Sequence, residues 1–395
     1  MLSRPRSSDG MRVAINSLVD DPNNPSGAHW FWTRVIPEMA KLLADDEELY
    51  LLVSPKSRPL HTGYGPKVRY ITFPWSNERR SLRTLSEHLY SPLRLPRAEI
   101  DVFNTSLAPL IRPAQSLVVH FKSMHAYSAP KSVRLAPRLY RRMSYPRTMR
   151  QADGIIINSE SLREEMQRYL DVDPAKLHLI PEAVDHELFR PGDREEAFGL
   201  LSAKYGVAQP FVLFVSSLWP YKNCDGLLRA FAAAKAKLGG RRLVVVGPGR
   251  DVEYATQLRV LADELGIADG IVWVGGIPLE DTVHFYRSAD VLVYPSFNET
   301  FGLPLLEAMA CGCPVVTSNI SAMPETAGAA ALLVDPHDPE SIANAIVEAC
   351  GPEEERLRKL GPERAGEFTW AATAERTLDV YREVHSRRPR RGGRR

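Results

Sequence analysis

Short, continuously apolar runs alternate with longer stretches of helical period along the whole chain. In the first half the runs are RVAI (12–15), LYLLVS (49–54), VRYITF (68–73), IDVFNTS (100–106), SLVVHF (116–121), GIIINS (154–159) and LHLIP (177–181). In the second half they are FVLFVSS (211–217), RLVVVG (242–247), IVWVG (271–275), DVLVYPS (290–296), PVVTS (314–318) and ALLVDP (331–336). Most are apolar throughout rather than apolar at every second position. That pattern belongs to strands buried on both faces of a parallel sheet. Between them lie helical segments: 30–43, with Val35, Ile36, Met39, Leu42 and Leu43 on one stripe, then 225–237, 253–265, 280–289, 304–311 and 340–350. Strictly alternating strands and helices predict a doubly wound α/β architecture.

The length of 395 residues, at ~150 per domain, predicts two such domains. The seam falls in PGDREEAFGLLSAKYGVAQP (191–210), a polar stretch with two prolines and three glycines just before a fresh strand. The domains are read as 11–195 and 205–369. A further helical pattern, WAATAERTLDVYREV (370–384), follows the second sheet and is positioned to cross back to the first domain. Residues 1–10 read as a disordered leader, and HSRRPRRGGRR (385–395) as a disordered basic tail. Two tandem α/β domains leave a cleft, and ligands of such sheets sit at the carboxyl ends of the strands. Chemistry is therefore to be sought just after strands.

Composition narrows the function classes. Fifty basic and 48 acidic residues leave a formal charge of +2, which argues against a dedicated nucleic-acid binder. Four cysteines, all in the second half, make no disulfide framework in a chain of this size and point to a reduced, cytoplasmic protein. No apolar run approaches the ~18 residues of a membrane span. The near-neutral total hides a local excess: residues 126–152 hold Lys131, Arg134, Arg138, Arg141, Arg142, Arg147 and Arg150 and no acidic residue. Four of these arginines share one helical face and Leu135, Leu139 and Met143 another, the layout of a helix that lies on an anionic membrane surface. A solvated helix face is the other reading of the same residues.

The segment PSFNETFGLPLLEAMACGCPVV (295–316) concentrates the candidate chemistry. A strand ends, a loop NETFG follows, and a helix starts near Pro304, a residue suited to the first helical turn. Glu299 lies in the loop and Glu307 about one turn inside the helix. Between them the backbone N–H groups of Phe301, Gly302 and Leu303 form an open helix N-terminus, an anion site by orphan donors and dipole. Two carboxylates flanking such a site suit a ligand with hydroxyls on both sides of its phosphates. Spacing alone is equally compatible with a solvated loop glutamate and a helix-capping one. No metal cluster appears: Cys311 and Cys313 have no second Cys or His pair at ligand spacing.

This segment resembles the signature of the retaining glycosyltransferase family 4. The resemblance rests on Glu299, the FGLP run, Glu307 with AMACGCPVV, and PETAG (324–328). It extends through SSLWPYKNCDGLLRAF (216–231), VVVGPGRD (244–251), VWVGGIP (272–278), FYRSADVLVYPS (285–296) and the last helical pattern, and more weakly through ADGIIINSESLREEM (152–166) and LHLIPEAVDHELFRP (177–191). It implies a GT-B fold, two Rossmann-like domains facing a central cleft, with the acceptor in the first and a nucleotide sugar in the second. No bound cofactor or metal is implied, only a GDP- or UDP-sugar donor. Carried over residue by residue, the resemblance assigns Glu307 to the ribose hydroxyls. It sets Glu299 beside the transferred sugar, the 301–303 amides on hydroxyls and phosphates, and Lys222 on the diphosphate. One departure stands out: Ser216-Ser217 occupy a position where many relatives carry Gly-Arg. Lys222, the helix dipoles and Arg250 are left to balance the diphosphate. Gly247 and Gly249 end one strand and Val274-Gly275 another, where the backbone can turn beside the nucleotide base.

In the first domain, Gly27 in SGAHWFW (26–32) joins a strand to a helix and would face the donor phosphates, or serve as a plain turn. Relatives place a histidine just after the strand corresponding to SLVVHF. Here Lys122-Ser123 take that place, His120 lies inside the strand as a structural residue, and His125 is the cleft candidate. The sequence thus implies a hexosyltransferase acting on a glycan or polyprenyl- or lipid-linked acceptor in surface polysaccharide or lipopolysaccharide synthesis. It would be cytoplasmic and peripheral at the membrane. A nucleotide-sugar epimerase of the same fold, or a non-catalytic nucleotide-sugar-binding protein, are the rival readings.

Overall fold

A computed structural model describes residues 10–18, 27–73, 86–109, 113–129, 133 and 135–387. Each apolar run becomes a strand. The first sheet holds β1 (Arg12–Asn16), β2 (Glu48–Val53), β3 (Val68–Thr72), β4 (Val102–Thr105), β5 (Ser116–His120), β6 (Gly154–Ile157) and β7 (Leu177–Leu179), in the order β3-β2-β1-β4-β5-β6-β7. The second holds β8 (Phe211–Val215), β9 (Arg242–Val246), β10 (Ile271–Gly275), β11 (Val291–Tyr294), β12 (Val315–Ser318) and β13 (Leu332–Val334), in the order β10-β9-β8-β11-β12-β13. Every pairing is parallel. Parallel neighbours need crossover helices, and these cover both faces, so the central strands β4, β5, β6, β11 and β12 are buried along their whole length. The order of each sheet reverses at one point, between β1 and β4 and between β8 and β11.

The helices are α1 (Gly27–Leu42), α2 (Leu135–Gln151), α3 (Glu160–Tyr169), α4 (Arg194–Tyr205), α5 (Cys224–Ala234), α6 (Val252–Glu264), α7 (Leu279–Ser288), α8 (Leu303–Ala310), α9 (Met323–Ala327), α10 (Pro339–Ala349), α11 (Glu354–Ala365) and α12 (Trp370–Ser386). Their starts follow from side-chain caps. Ser159 accepts from Leu162 N–H, Asp193 from Glu196 N–H, Asn223 from Gly226 N–H and Thr369 from Ala372 N–H. Each such cap stabilises its helix by about 1 kcal/mol.

Two expectations are corrected. The polar seam at 191–210 is largely α4, started by Asp193 and ended by Gly206 in the left-handed conformation. It buries Ala197 and Leu201 and packs against α7. At the other end, His385 and Ser386 continue α12 rather than opening a disordered tail. Residues 388–395 and 1–9 lie outside the described residues, while Gly10 is buried against Asp46.

α12 does cross back. Its Ala374, Leu378, Val380, Tyr381 and Val384 join the first domain's core, beside Phe31, Trp32, Val35 and Met39 of α1. Asn104 donates to the Tyr381 hydroxyl at 2.6 Å, and Arg382 grips both carboxylate oxygens of Glu47 at 2.9 Å. The chain thus passes between the domains twice. A third tie is polar: the Glu325 carboxylate, at the start of α9, accepts from the backbone N–H groups of Glu160 (2.7 Å) and Ser161 (2.6 Å). These are orphan donors at the N-terminus of α3, where an anion is stabilised by the helix dipole.

Candidate active site

The site is built where the second sheet reverses. β8 and β11 are neighbours there, so the loops leaving their carboxyl ends meet although far apart in sequence. The loop after β8 is a tight turn, Pro220–Lys222, closed by Asn223 in the left-handed region. Asn223 donates to the carbonyls of Pro295 (3.0 Å) and Pro336 (2.7 Å). Phe297 N–H donates to the Tyr221 carbonyl at 2.8 Å, and Ser296 Oγ lies 3.0 Å from the same oxygen. Bonds to main-chain carbonyls therefore stitch the two loops together, and Lys222 and Glu299 are fixed side by side.

Lys222 forms an ion pair with Glu299 and donates to the Tyr294 hydroxyl at 2.7 Å. The same carboxylate oxygen accepts from Tyr294 (2.8 Å) and from Ser296 (3.0 Å). The Glu299 main chain is clamped as well, its N–H on Ser321 Oγ at 3.0 Å and its carbonyl accepting from Ser321 at 2.6 Å. An ammonium has three N–H donors, so with two engaged a third is left for an incoming anion. Tyr294, Ser296, Ser321 and Tyr221 went unnoticed in the sequence. Tyr294 and Ser296 close an otherwise apolar strand run, and that polar ending was the available signal.

Gly302 caps α8 at φ +96° with no side-chain acceptor, and Pro304 follows within the first turn. The N-terminus of α8 is thus left without a side-chain cap. Gly302 is there by necessity: a Cβ would sit 2.5 Å from Met323 Cε, in a backbone region that side chains rarely adopt. Gly302→Ala is expected to cost roughly 1–3 kcal/mol, read as a lower urea midpoint at unchanged slope. Glu307, one turn on, is half-buried and accepts from the Tyr286 hydroxyl at 2.9 Å. Burial pushes its carboxyl up to about 7, with the Tyr286 bond opposing the rise.

The other second-domain candidates lie at the carboxyl ends of β8, β9 and β10. Ser217 follows β8. Gly247 N–H donates to Gly275 O at 2.7 Å, and Leu218 N–H to Pro248 O at 3.0 Å. Those bonds draw Ser217, Gly247, Gly249, Val274 and Gly275 together at the ends of β8, β9 and β10. A Cβ on Gly247 would lie 1.9 Å from Ser216 O, so only glycine permits this approach. Arg250 is exposed in the turn after β9. Cys311 and Cys313 are buried in the core under α8, and the described residues contain no group of three metal-ligand side chains.

From the first domain, His125 opens a short helical turn, His125–Ser128, and reaches across to Tyr221, ring centroids 5.0 Å apart. Burial lowers its pKa below the ordinary imidazole range. Glu299 raises it and Lys222 lowers it, which puts both within electrostatic reach. His125 Nε2 is buried with no hydrogen-bond partner. The structure therefore brings Lys222, Glu299 and His125 to one place. His120 is boxed between the rings of Phe31 and Trp32, at 4.5 and 5.5 Å, inside β5. Lys122 pairs with Glu182 at 2.9 Å. Gly27 begins α1, while Ser26 before it lies outside the described residues. Deeper in the cleft a cavity of about 310 Å³ separates Asn158 and Glu182 from Phe301, Thr326 and Phe368.

Known proteins resemble this chain over both domains. A family profile described as "Glycosyl transferases group 1" matches residues 202–363, and one described as "Glycosyltransferase Family 4" matches residues 33–188. A D-inositol 3-phosphate glycosyltransferase of Mycolicibacterium smegmatis is 34% identical over 303 residues, 73% of this chain and 66% of that protein. Its counterpart in Saccharomonospora viridis is 38% identical over 248 residues, 59% of this chain and 56% of that one. The matched region thus spans between about half and two thirds of these relatives. Among solved structures, sucrose-phosphate synthase from Thermosynechococcus elongatus superposes with a TM-score of 0.74 at 22% identity, covering 95% of this chain and 99% of that one. Anabaena Alr3699/HepE in complex with UDP-glucose gives 0.72 at 17% identity, covering 94% and 100%.

Proposed function

The chain belongs to glycosyltransferase family 4 and has its GT-B fold, and on that premise we propose that it transfers a hexose from a nucleoside-diphosphate sugar to an acceptor hydroxyl, with retention of anomeric configuration. The observation that carries this reading is the Lys222–Glu299 pair, set before the open N-terminus of α8 with Glu307 half-buried in the same helix. A departing nucleoside diphosphate gains negative charge as its bond to the sugar breaks. Lys222 and the 301–303 amides face that charge and stabilise it. Glu307 takes the ribose hydroxyls, and Ser217, Gly247, Gly249, Val274 and Gly275 line the base. Glu299 lies beside the hexose, with His125 and Gly27 approaching from the first domain.

One carboxylate oxygen of Glu299 accepts from Lys222, Tyr294 and Ser296, which holds the group as a counter-ion to the lysine rather than as a nucleophile. Attack by the acceptor on the same face as the leaving group accounts for retention, with the leaving phosphate taking the acceptor proton. Charge stabilisation by Lys222 and a helix terminus makes the reaction independent of a metal. The donor is a GDP- or UDP-sugar with a mannose- or glucose-type hexose. HepE binding UDP-glucose on the same fold supports a nucleotide sugar.

The acceptor is a glycan or lipid-linked sugar of a surface polysaccharide or lipopolysaccharide, reached at the cytoplasmic face of a membrane. α2 supports that location: it exposes Leu135, Leu139 and Met143, the last 80% accessible. Its cations are less free than the sequence suggests, because Arg142 and Arg147 bond to the carbonyls of Ala126 (3.2 Å) and Pro109 (2.7 Å). Lys131 and Arg134 lie outside the described residues, and no described helix is long and apolar enough to cross a membrane.

A thermal-shift screen of UDP, GDP and their common sugars tests the reading. One nucleotide class is expected to raise the melting temperature by several degrees at about 100 times its Kd, and the matching sugar to be slowly hydrolysed without acceptor. No shift with any of them contradicts a nucleotide-sugar site.

A further inference from the structure

Asn298 precedes Glu299 in the donor loop and reaches into the other domain through its side chain. Its Nδ2 donates to Glu165 Oε1 of α3 at 2.8 Å and more weakly to Ser128 Oγ at 3.4 Å. Ser128 ends the same helical turn that His125 begins. The amide therefore spans the cleft beside the imidazole, between the turn that carries His125 and the helix that packs behind it. Asn298 Oδ1 and His125 Nε2 are both buried and neither has another partner. Burial lowers the imidazole's pKa, and the neighbouring amide opposes that by favouring the charged form. The remaining charged groups around His125 are Glu299, Lys222 and Arg141, with the Tyr221 ring on one face. α3 is itself held from the second domain, since Glu325 caps its N-terminus. Two second-domain side chains that bracket the 299–303 loop thus grip one helix of the first domain.

We propose that Asn298 is a positioning residue for His125: Glu165 fixes the amide by accepting from Nδ2, and the amide's free Oδ1 orients the imidazole against the reaction centre formed by Lys222 and Glu299. The proposal rests on the transferase reading of that centre. A hydrogen bond of this kind transmits closure directly, because Glu165 meets Asn298 only when the domains are together. When it is lost, the cleft still binds donor, but the imidazole is no longer held and water competes with the acceptor.

Asn298→Ala is expected to lower kcat about 10-fold with donor KM within about 2-fold, and to raise the fraction of donor hydrolysed rather than transferred. Asn298→Asp places two carboxylates together and is expected to be at least as impaired. Adding Glu165→Gln restores a donor and an acceptor with their roles exchanged, and is expected to bring kcat back to within about 3-fold. A loss of packing alone would not be rescued by this pair. A second readout needs no turnover: in ¹⁵N-histidine-labelled protein, the ring signals of His125, assigned with His125→Gln, are expected to shift in Asn298→Ala and in Glu165→Ala and to return in the double variant. If the wild type turns over no donor, the transferase reading fails while the ring signals still decide the positioning. Unchanged His125 signals in both single variants, or no rescue by the double variant, overturns it.

Discussion

Lys222→Ala is expected to slow sugar transfer by 10²- to 10³-fold, the scale of removing one preorganised donor from a developing anion. Lys222 is held by three features of the fold. The turn Pro220–Lys222 presents it, Asn223 anchors that turn to the end of β11, and Glu299 with Tyr294 fixes the ammonium itself. An ammonium already ordered and partly desolvated does not have to be organised when charge appears on the leaving phosphate, which is why its removal is costly. Lys222→Arg is not a conservative change here, because a planar guanidinium cannot satisfy Glu299 and Tyr294 in the space of a compact ammonium. The loss is expected mainly in kcat. Removing the lysine also strands Glu299 without its counter-ion, so a comparison with Lys222→Ala/Glu299→Gln separates the two effects.

Glu307→Ala is expected to weaken nucleoside-diphosphate binding about 100-fold, the loss of two hydrogen bonds from ribose hydroxyls to a carboxylate at roughly 1.5 kcal/mol each. The pH dependence is specific. Burial raises Glu307 to about 7, above the 4.5 of an ordinary glutamate, so the unliganded protein holds a proton there that the unfolded chain releases. The ribose hydroxyls favour the ionised form, so donor affinity should fall as pH drops below about 7, and this dependence should vanish in Glu307→Gln. Stability runs the opposite way. A raised carboxyl stabilises the folded state most at low pH, and that contribution fades as pH climbs from about 4.5 through about 7. Unliganded Glu307→Gln, which keeps an acceptor for Tyr286, is therefore expected to be more stable than wild type at pH 8 by about 1–3 kcal/mol, while binding nucleotide less tightly. Urea unfolding at pH 5 and pH 8 reads this directly.

The strands were legible because burial on both faces leaves short, mostly apolar runs such as FVLFV, with polar residues confined mainly to their ends. α4 was not legible. Its two buried residues, Ala197 and Leu201, make a single i,i+4 contact, and the Asp193 and Gly206 that cap it are the residues that also mark loops. Glu299, Glu307 and the open end of α8 were readable because they lie within one continuous segment. The pairing of Glu299 with Lys222 was not, since it depends on β8 and β11 being neighbours in the sheet. His125 needed a contact between domains to stand out, and so did Asn298 and Glu165, whose residue types carry no signal of their own.

In the proposed reaction this cleft breaks the bond between a sugar and a nucleoside diphosphate with the help of Lys222. The most direct measurement is release of nucleoside diphosphate from a panel of UDP- and GDP-sugars, by wild type and by Lys222→Ala at equal, folded concentration. One donor is expected to be consumed by the wild type, and at least 100-fold more slowly by the variant. No release from any donor, or release at the same rate by both proteins, would contradict a transferase site built on Lys222.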